Sequence, residues 1–434
     1  RQQQAIAAGG IGALVQLANR LNLRKAINGS ICLFKLHLPY DEADHVLNIA
    51  LNLLAGGNCL EHLEDRRCDE AYLNALGAQR IPDPTTAGDF CRRFGDADIL
   101  QLMNGFNQVR EQVWKEQPRE FFDCAIIEAD GTQVETSGEK KQGIGINYKG
   151  QWGYHPLLVS LANTGEPLFI VNRKGSRPSH EHATKYLDKS VKLCREAGFR
   201  SILLRGDTDF TQTTELDRWD DDGVRFVFGI QTSKTLQKNA ENIEDSEWET
   251  LQRQCREIKT ARRRRPLNFK QRMVKKREME DIQLAGEYVS EFEYSPIACD
   301  KTYRLVVVWK DLEHHRGQQK LFDDTLCFFY ITNDWDLAAE EVVFHANRRC
   351  QQENLIEQQK NGVRSLTAPL DSLNSNWAYM VIASLAWNLK AWSALLLPES
   401  GRWKERDATQ KRRLLNMDFR TFQNAIIQVP AQII

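Results

Sequence analysis

The stretch that decides the fold is residues 155–171, HPLLVSLANTGEPLFIV, in which two apolar runs flank the turn sequence NTGE at 163–166. Asn and Gly favour tight turns, so this pattern predicts a β-hairpin. An earlier apolar run, CAIIEADGTQV at 124–134, is also typical of a strand. A glycine-rich loop at 138–153 separates that strand from the hairpin. The stretch therefore predicts three neighbouring strands.

Alternating helices and strands are predicted after the hairpin. The pattern gives a helix from His182 to Ala197, a strand from Ser201 to Leu204, a helix containing Leu216 and Trp219, and a strand from Val224 to Ile230. Three strands, helix, strand, helix, strand is the order of a ribonuclease-H-like core, in which parallel strands extend an antiparallel hairpin. The predicted fold class is α/β.

Five segments follow from shifts in composition and period along the 434 residues. We predict a helical N-terminal DNA-binding or dimerisation domain (residues 1–118) and the first part of the catalytic core (119–232). A β-rich insertion with a basic arm (233–333), the second part of the core (334–397) and a helical tail (398–434) follow.

The N-terminal segment contains two apolar runs at helical spacing, followed by Pro82-Asp83-Pro84-Thr85-Thr86. Thr85 or Thr86 is predicted to cap a short helix that presents Arg92 and Arg93. Such a module is compatible with DNA binding. The pattern alone favours a helical scaffold.

Overall composition excludes several classes of protein. Ten cysteines occur without a CxxC pair, which argues against a zinc ribbon and a disulfide framework and fits a reducing cytoplasm. The apolar stretch Trp377 to Leu397 contains Asn388 and Lys390, so we predict a buried core helix and no membrane span. The net charge of −1 gives no sign of nucleic acid binding.

Positive charge is concentrated between Arg253 and Arg277, where twelve Lys and Arg residues face only Glu257 as an acid. Clustered cations of this kind supply sequence-independent affinity for DNA. We predict DNA contact rather than a solvated loop, with the contacts assigned to Arg262, Arg263, Arg264, Arg265, Lys275 and Lys276.

Two aspartates end predicted strands. Asp130 follows the apolar residues of the first strand, where an unpaired charge is costly, and Asp207 follows Ser201 to Leu204. Each is a candidate metal ligand, since sites gather at strand ends. The alternatives are a turn cap for Asp130 and a helix N-cap for Asp207, with Asp209 as the fallback ligand.

A third acid, Glu353, falls in a helix predicted from about Asp336 to Lys360. On that helix Arg349, Glu353 and Lys360 lie within roughly 40° of one another, which places a carboxylate between two cations. A metal site beside phosphate oxygens would use such a face. In isolation, a solvated charged face is the more frequent interpretation.

Six ordered motifs between about residues 40 and 397 resemble the DDE group 1 transposases of bacterial insertion sequences. They are NLLAGGNCLE at 52–61, IPDPTT at 81–86, EADGT at 128–132, GYHPLL at 153–158, LLRGDTDF at 203–210 and ENLIEQQKNG at 353–362. The resemblance implies a ribonuclease-H-like core with a catalytic, metal-binding triad. By position the triad falls on Asp130, Asp207 and Glu353, with Arg349 and Lys360 contacting phosphates.

One position departs from the family pattern. Related transposases often have Tyr-x-x-Arg before the glutamate, whereas here Ala346 stands three residues before Arg349, next to His345.

The triad would hold two Mg²⁺ ions, for which Mn²⁺ can substitute, about 3.5–4 Å apart.

We therefore expect a transposase that cuts and joins double-stranded DNA, at its element's terminal inverted repeats and at a target, as a homodimer associated with the nucleoid. The alternatives are a structure-specific endonuclease of the same fold and a domesticated, non-catalytic DNA-binding protein.

Overall fold

The computed structural model describes residues 4–37, 39–252, 281–316, 324–348, 350–399 and 401–433. The chain divides into two compact units, Arg1–Leu203 with Cys350–Ile434, and Leu204–Arg349. The predicted basic arm, including Arg262, Arg263, Arg264, Arg265, Lys275 and Lys276, lies outside the described residues, as does Arg349.

Helices predominate over strands in the first unit, and both units mix the two. The helices are α1 Ile11–Arg20, α2 Leu23–Ser30, α3 Glu42–Leu54, α4 Leu63–Arg67, α5 Glu70–Leu76, α6 Pro84–Cys91, α7 Asp96–Lys115, α8 Ala183–Ala197, α9 Leu216–Asp221, α10 Lys234–Glu241, α11 Ala339–Asn347, α12 Cys350–Glu357, α13 Leu373–Leu395, α14 Lys404–Leu415 and α15 Phe419–Phe422.

The strands are β1 Gln4–Ile6, β2 Cys124–Gly131, β3 Val134–Glu135, β4 Gly145–Ile146, β5 Trp152–Tyr154, β6 Leu157–Leu161, β7 Glu166–Val171, β8 Ser201–Gly206, β9 Arg225–Ile230, β10 Glu249–Thr250, β11 Asp281–Tyr294, β12 Tyr303–Arg316, β13 Asp324–Thr332 and β14 Ala431–Ile433. The predicted order of three strands, helix, strand, helix and strand is confirmed by β2, β6, β7, α8, β8, α9 and β9. The chain has a mixed α/β fold.

The predicted hairpin forms in the first unit. Strands β2, β6 and β7 lie side by side in that order, and both pairs are antiparallel. Between β6 and β7 the turn needs a left-handed residue, which Gly165 supplies at φ 66°. Strand β2 ends at Gly131, three residues before the predicted end, and the chain resumes pairing only as β3 in a small separate sheet.

The second unit contains a long antiparallel sheet in the order β10, β11, β12, β13 and β9. Its three long strands, β11, β12 and β13, lie within residues 233–333, where the sequence predicts a β-rich insertion. Helix α11 packs on β9, β11, β12 and β13.

Side-chain caps define where several helices begin. Asp41 and Asp44 form a reciprocal capping box at α3. At α6 the cap is Asp83, which accepts from the Thr86 backbone N–H at 3.0 Å, so the predicted Thr85 or Thr86 cap is wrong. Pro84 explains the difference, because proline favours the first helical position and leaves the preceding residue as the cap.

The single helix predicted from Asp336 to Lys360 is also wrong. The structure has two helices, α11 and α12, followed by a π-helical turn, Gln358–Gly362. The spacing that aligned Glu353 with Lys360 assumed 3.6 residues per turn throughout, whereas a π turn adds a residue and rotates the part of the helix beyond it.

Helix α13 lies in the core of the first unit, as predicted from its apolar sequence. It is buried along nearly its whole length and packs against α3, α7 and β7. Within the described ranges, no helix has both the length and the apolarity that a membrane crossing requires.

The fully buried carboxylate of Glu166 joins the hairpin to two helices. It accepts from Arg110 Nε and Trp114 Nε1 of α7, both at 3.0 Å, and from Trp392 Nε1 of α13 at 2.8 Å. The Thr164 hydroxyl in the turn also donates to it, at 2.6 Å. Four donors compensate for the burial of this charge.

We expect Glu166→Leu to destabilise the protein by about 3–5 kcal/mol, because it leaves the Arg110 guanidinium buried without its partner. Chemical denaturation followed by circular dichroism measures the change. The exposed Glu196 serves as a control, and its replacement by Leu should cost less than about 0.5 kcal/mol. Equal effects of the two substitutions would contradict the assigned role of Glu166.

A second buried charge, Lys390 on α13, donates to the Leu415 carbonyl at 2.9 Å and lies 3.9 Å from the centroid of the Trp387 ring. Burial lowers the pKa of Lys390 from 10.5 to about 7, and Asp418 offsets a smaller part of this effect. Between these two pH values the unfolded chain holds a proton that the folded chain does not.

The free energy of unfolding should therefore rise with pH above about 7, by at most about 1.4 kcal/mol per pH unit, until pH approaches 10.5. Lys390→Met should remove this dependence of the free energy of unfolding on pH. The control Lys238→Met, at an exposed lysine, should leave it unchanged. Thermal or denaturant unfolding at pH 6.5, 8 and 9 measures it. A slope that persists in Lys390→Met would rule out Lys390 as its source.

Candidate active site

Asp130 lies on β2, one residue before the strand ends, and its register partner on β6 is Leu158. Its side chain is half-buried. Residues two apart on a strand share a face, so Asp130 and the buried Glu128 lie on the same side of the sheet. Glu128 pairs with Ser160, which identifies that side on β6 as well.

Helix α12 is fixed to this side of the sheet through Gln352. The buried Gln352 amide donates to the Leu158 carbonyl at 3.0 Å, and its oxygen accepts from the Ser160 hydroxyl. Leu158 is the residue directly opposite Asp130. Gln352 therefore sets the position of α12 relative to the strand that carries Asp130.

The role of Gln352 was not predicted from the sequence. A signal was present, because Gln352, Leu355, Ile356 and Gln359 recur at helical spacing and form the buried stripe of this segment. A polar residue in such a stripe needs a hydrogen-bond partner in the core.

Glu353 is the next residue on α12, and its side chain is exposed. Its neighbour Gln352 is held against β6, so Glu353 is carried by a helix that is anchored opposite Asp130. The first unit thus brings the strand of Asp130 and the helix of Glu353 together. Both carboxylates are hard oxygen donors of the kind that Mg²⁺ prefers.

Lys360 follows on the π turn and is half-buried. Burial lowers the pKa of its ammonium group, while the negative charges of Glu357, Glu135 and Asp130 act in the opposite direction. Lys360 is therefore within electrostatic reach of Asp130. Glu135, on β3, was not among the predicted site residues.

In the second unit Asp207 follows β8 and caps a short 3₁₀ turn, where its carboxylate accepts from the Asp209 N–H at 3.0 Å. Asp207 therefore caps a 3₁₀ turn and not the next helix, α9, which begins at Leu216. Asp207 lines a cavity of about 620 Å³. Other residues that line it include Thr208, Gly229, Lys310, Phe328 and Asn347.

His345 lies near the end of α11, among cations of the same unit. Arg205 donates to the His345 carbonyl at 3.0 Å. Burial holds the pKa of His345 below its ordinary value, and the charges of Arg205, Arg348 and Arg225 lower it further. An electropositive environment of this kind suits a phosphate group.

The N-terminal arginines follow α6 rather than lying on it. Arg92 pairs with Asp89 at 2.9 Å and with Asp371 at 3.0 Å. Arg93 lies over the ring of Phe34, at 5.1 Å from its centroid. The two acids offset part of the charge of Arg92, so its predicted DNA contact would have to compete with them.

One further group of potential metal ligands occurs among the described residues. Cys32, His37 and Glu42 have ligand atoms within 4.8 Å of one another, near the start of α3. The group contains none of the three predicted acids. Glu42 already accepts from the Leu33 and Phe34 N–H groups and contacts His37 at 3.1 Å.

We expect Gln352→Leu to loosen α12, because it removes both hydrogen bonds to β6 while nearly conserving volume. Two net hydrogen bonds correspond to about 1–3 kcal/mol, so amide hydrogen exchange in α12 should accelerate about 5- to 150-fold. Replacement of the exposed neighbour Gln351 by Leu is the control. Unchanged exchange in Gln352→Leu would show that other contacts fix the helix.

Comparison with known proteins gives a family match along nearly the whole chain. A family model described as transposase DDE domain group 1 matches residues 3–425, a range that includes Asp130, Asp207 and Glu353. A search of curated proteins finds no match. Among solved structures, the chain is similar to a piggyBac transposase synaptic complex with hairpin DNA, at 10% identity and a TM-score of 0.41, over 98% of this chain and 81% of that chain.

Proposed function

The chain belongs to the transposase DDE domain group 1 family, and from this membership we propose that it cuts DNA beside the ends of a mobile element and joins those ends to target DNA. The observation that carries the proposal is the family match over residues 3–425. Proteins of this family generally use divalent metal ions. The substrates we propose are the element's terminal inverted repeats and a double-stranded target, bound by a homodimer.

We propose a ribonuclease-H-like catalytic core, built on β2, β6, β7, β8 and β9. Two observations support it. The order of strands and helices agrees with that fold, and the first three strands form an antiparallel meander. In this core the acids at the strand ends and on the following helix supply the site.

Asp130, Asp207 and Glu353 are the proposed metal ligands and catalytic residues, with Mg²⁺ as the natural ion. Support comes from the first unit, in which Gln352 anchors the helix of Glu353 opposite Asp130. Bound divalent ions would neutralise charge on the reacting phosphate and activate the attacking oxygen. The carboxylates fix where those ions bind, and hence which phosphodiester bond is cut.

The remaining residues of the site would orient the DNA. Lys360, within reach of the charge of Asp130, is proposed to bind a phosphate oxygen next to the scissile bond. Arg349 and the basic residues between 253 and 277 are proposed to contact the DNA backbone further away. Cleavage by water would free a 3′-hydroxyl, which then attacks the target phosphate in line.

Replacing an acid by its amide should separate catalysis from binding. We expect Asp130→Asn, Asp207→Asn and Glu353→Gln each to reduce cleavage of end DNA in Mg²⁺ by at least about a hundredfold, because each removes a charged ligand. Affinity for that DNA, measured by gel shift without Mg²⁺, should change little. Gel-resolved cleavage and joining products give the rates.

Two matched controls use neighbouring exposed acids, Asp209→Asn beside Asp207 and Glu357→Gln one turn after Glu353. Both should keep most of the activity. Full strand transfer by Asp207→Asn in Mg²⁺ would contradict the proposed triad. If only Asp209→Asn abolished cleavage, Asp209 rather than Asp207 would be the metal ligand. Cutting without joining would instead identify an endonuclease.

A further inference from the structure

A small sheet in the first unit exposes apolar side chains to solvent. Strands β3, β5 and β4 lie in that order, immediately after β2 in the chain. Tyr148 is 92% exposed, Trp152 52% and Ile146 46%. Ile146 pairs directly with Trp152, so their side chains share a face, and Tyr148 lies in the turn that joins β4 to β5. We call these three residues the aromatic face.

The turn that carries Tyr148 is held firmly in place. The Asn147 side chain accepts from the Lys149 and Gln151 N–H groups, both at 2.9 Å, and donates to the Gln151 side chain at 2.9 Å. Gly150 completes the turn at φ 78°. The exposure of Tyr148 is therefore a property of an ordered hairpin.

The base of the hairpin is packed too closely to shift. A Cβ atom on Gly153 would collide with the Val134 carbonyl oxygen, and one on Gly175 would lie 2.5 Å from the Gly145 carbonyl oxygen. The Tyr154 hydroxyl donates to the Gln142 carbonyl at 2.7 Å. The fold thus keeps apolar side chains exposed to water, which is unfavourable in free energy. A binding role would explain this exposure.

Lysines lie close to the aromatic face. Between residues 135 and 153 three lysines stand against two glutamates, and Lys149 Nζ lies 5.4 Å from the centroid of the Tyr148 ring. Lys174, also exposed, is bridged to Tyr154 at the edge of the sheet. Aromatic rings interleaved with lysines match the chemistry of a nucleic acid strand, which offers base faces and phosphates.

The aromatic face lies beside the proposed active site. Glu135 of β3 pairs with Gly153, the neighbour of Trp152. Asp130 precedes Val134 of β3 by four residues, and the Thr132 N–H between them donates to the Pro156 carbonyl at 3.0 Å. Unpaired nucleotides next to a cut made at Asp130 would therefore be within the neighbourhood of Trp152.

We propose that Tyr148 and Trp152 of the aromatic face stack on unpaired bases of the DNA strand next to the cleavage position. This proposal rests on the proposed function, since it assumes that DNA is bound at Asp130. A protein partner fits less well, because three side chains offer far less than the roughly 800 Å² per partner of a stable protein interface. Base stacking needs only single rings.

The test measures affinity for two DNA probes, a blunt duplex and the same duplex with a five-nucleotide thymidine overhang. The full-length protein carries Asp130→Asn throughout, and the buffer contains EDTA and no divalent ion, so that no probe is cut. Adding Tyr148→Ala and Trp152→Ala together should weaken binding of the overhang probe about 5- to 100-fold, and that of the blunt probe less than about twofold. Fluorescence anisotropy at fixed salt gives both constants.

Two controls separate stacking from other effects. Tyr148→Phe with Trp152→Phe retains the rings and should retain most of the affinity. Trp403→Ala removes a tryptophan of nearly equal exposure, 51%, elsewhere on the surface and should leave both probes unaffected. An overhang of 4-thiothymidine, photocrosslinked and mapped by mass spectrometry, should label Tyr148 or Trp152.

Three results would overturn the proposal: equal loss on both probes, no loss on either, or a change in oligomeric state of the double variant without DNA, which would assign the face to a second copy of the chain. The measurement does not depend on cleavage. If the acid-to-amide variants keep their activity but the overhang preference is lost with the rings, the triad fails and the stacking surface stands.

Discussion

The first unit depends on a single buried carboxylate, that of Glu166. It receives donors from the hairpin turn, from α7 and from α13, so three parts of the chain far apart in sequence meet at one charge. A buried ion of this kind contributes little net stability but penalises every arrangement that leaves it unpaired. The hairpin is thereby held in one position against the helices, and the position of β6 is fixed.

The candidate site is built on β6 by polar contacts as well as by apolar packing. Gln352 binds the backbone of β6 at Leu158, opposite Asp130, and thereby fixes the position of α12 relative to the strand. A hydrogen bond to a backbone carbonyl specifies register more strictly than apolar contact, which tolerates sliding. The exposed Glu353 needs this precision, because its own side chain lies in solvent.

Much of the fold could be predicted from local sequence, and the reasons are physical. The NTGE turn and the apolar runs around it express strand and turn preferences that depend on few neighbours, and the order of β2, β6, β7, α8 and β8 followed from them. Helix boundaries were less accessible. Asp83 and Thr85 are both good caps, and only the position of Pro84 decides between them. The π turn after α12 has no periodic signature, and the pairing of Gln352 with Ser160 joins residues 192 apart in the chain. The three candidate acids were predicted from strand ends, helix spacing and motif resemblance, while the structure accounts for the setting of Asp130 and Glu353.

The π turn at Gln358–Gly362 has an implication for how this chain tolerates change. One surplus residue in a helix advances everything beyond it by about 100° around the axis. Deleting a single residue here would restore regular α-helical winding. The Lys360 side chain would then point in another direction and would lose its interaction with the charge of Asp130. Chain length in this segment is consequently constrained even where residue identity is not, and natural relatives that vary the sequence of the turn should preserve its number of residues.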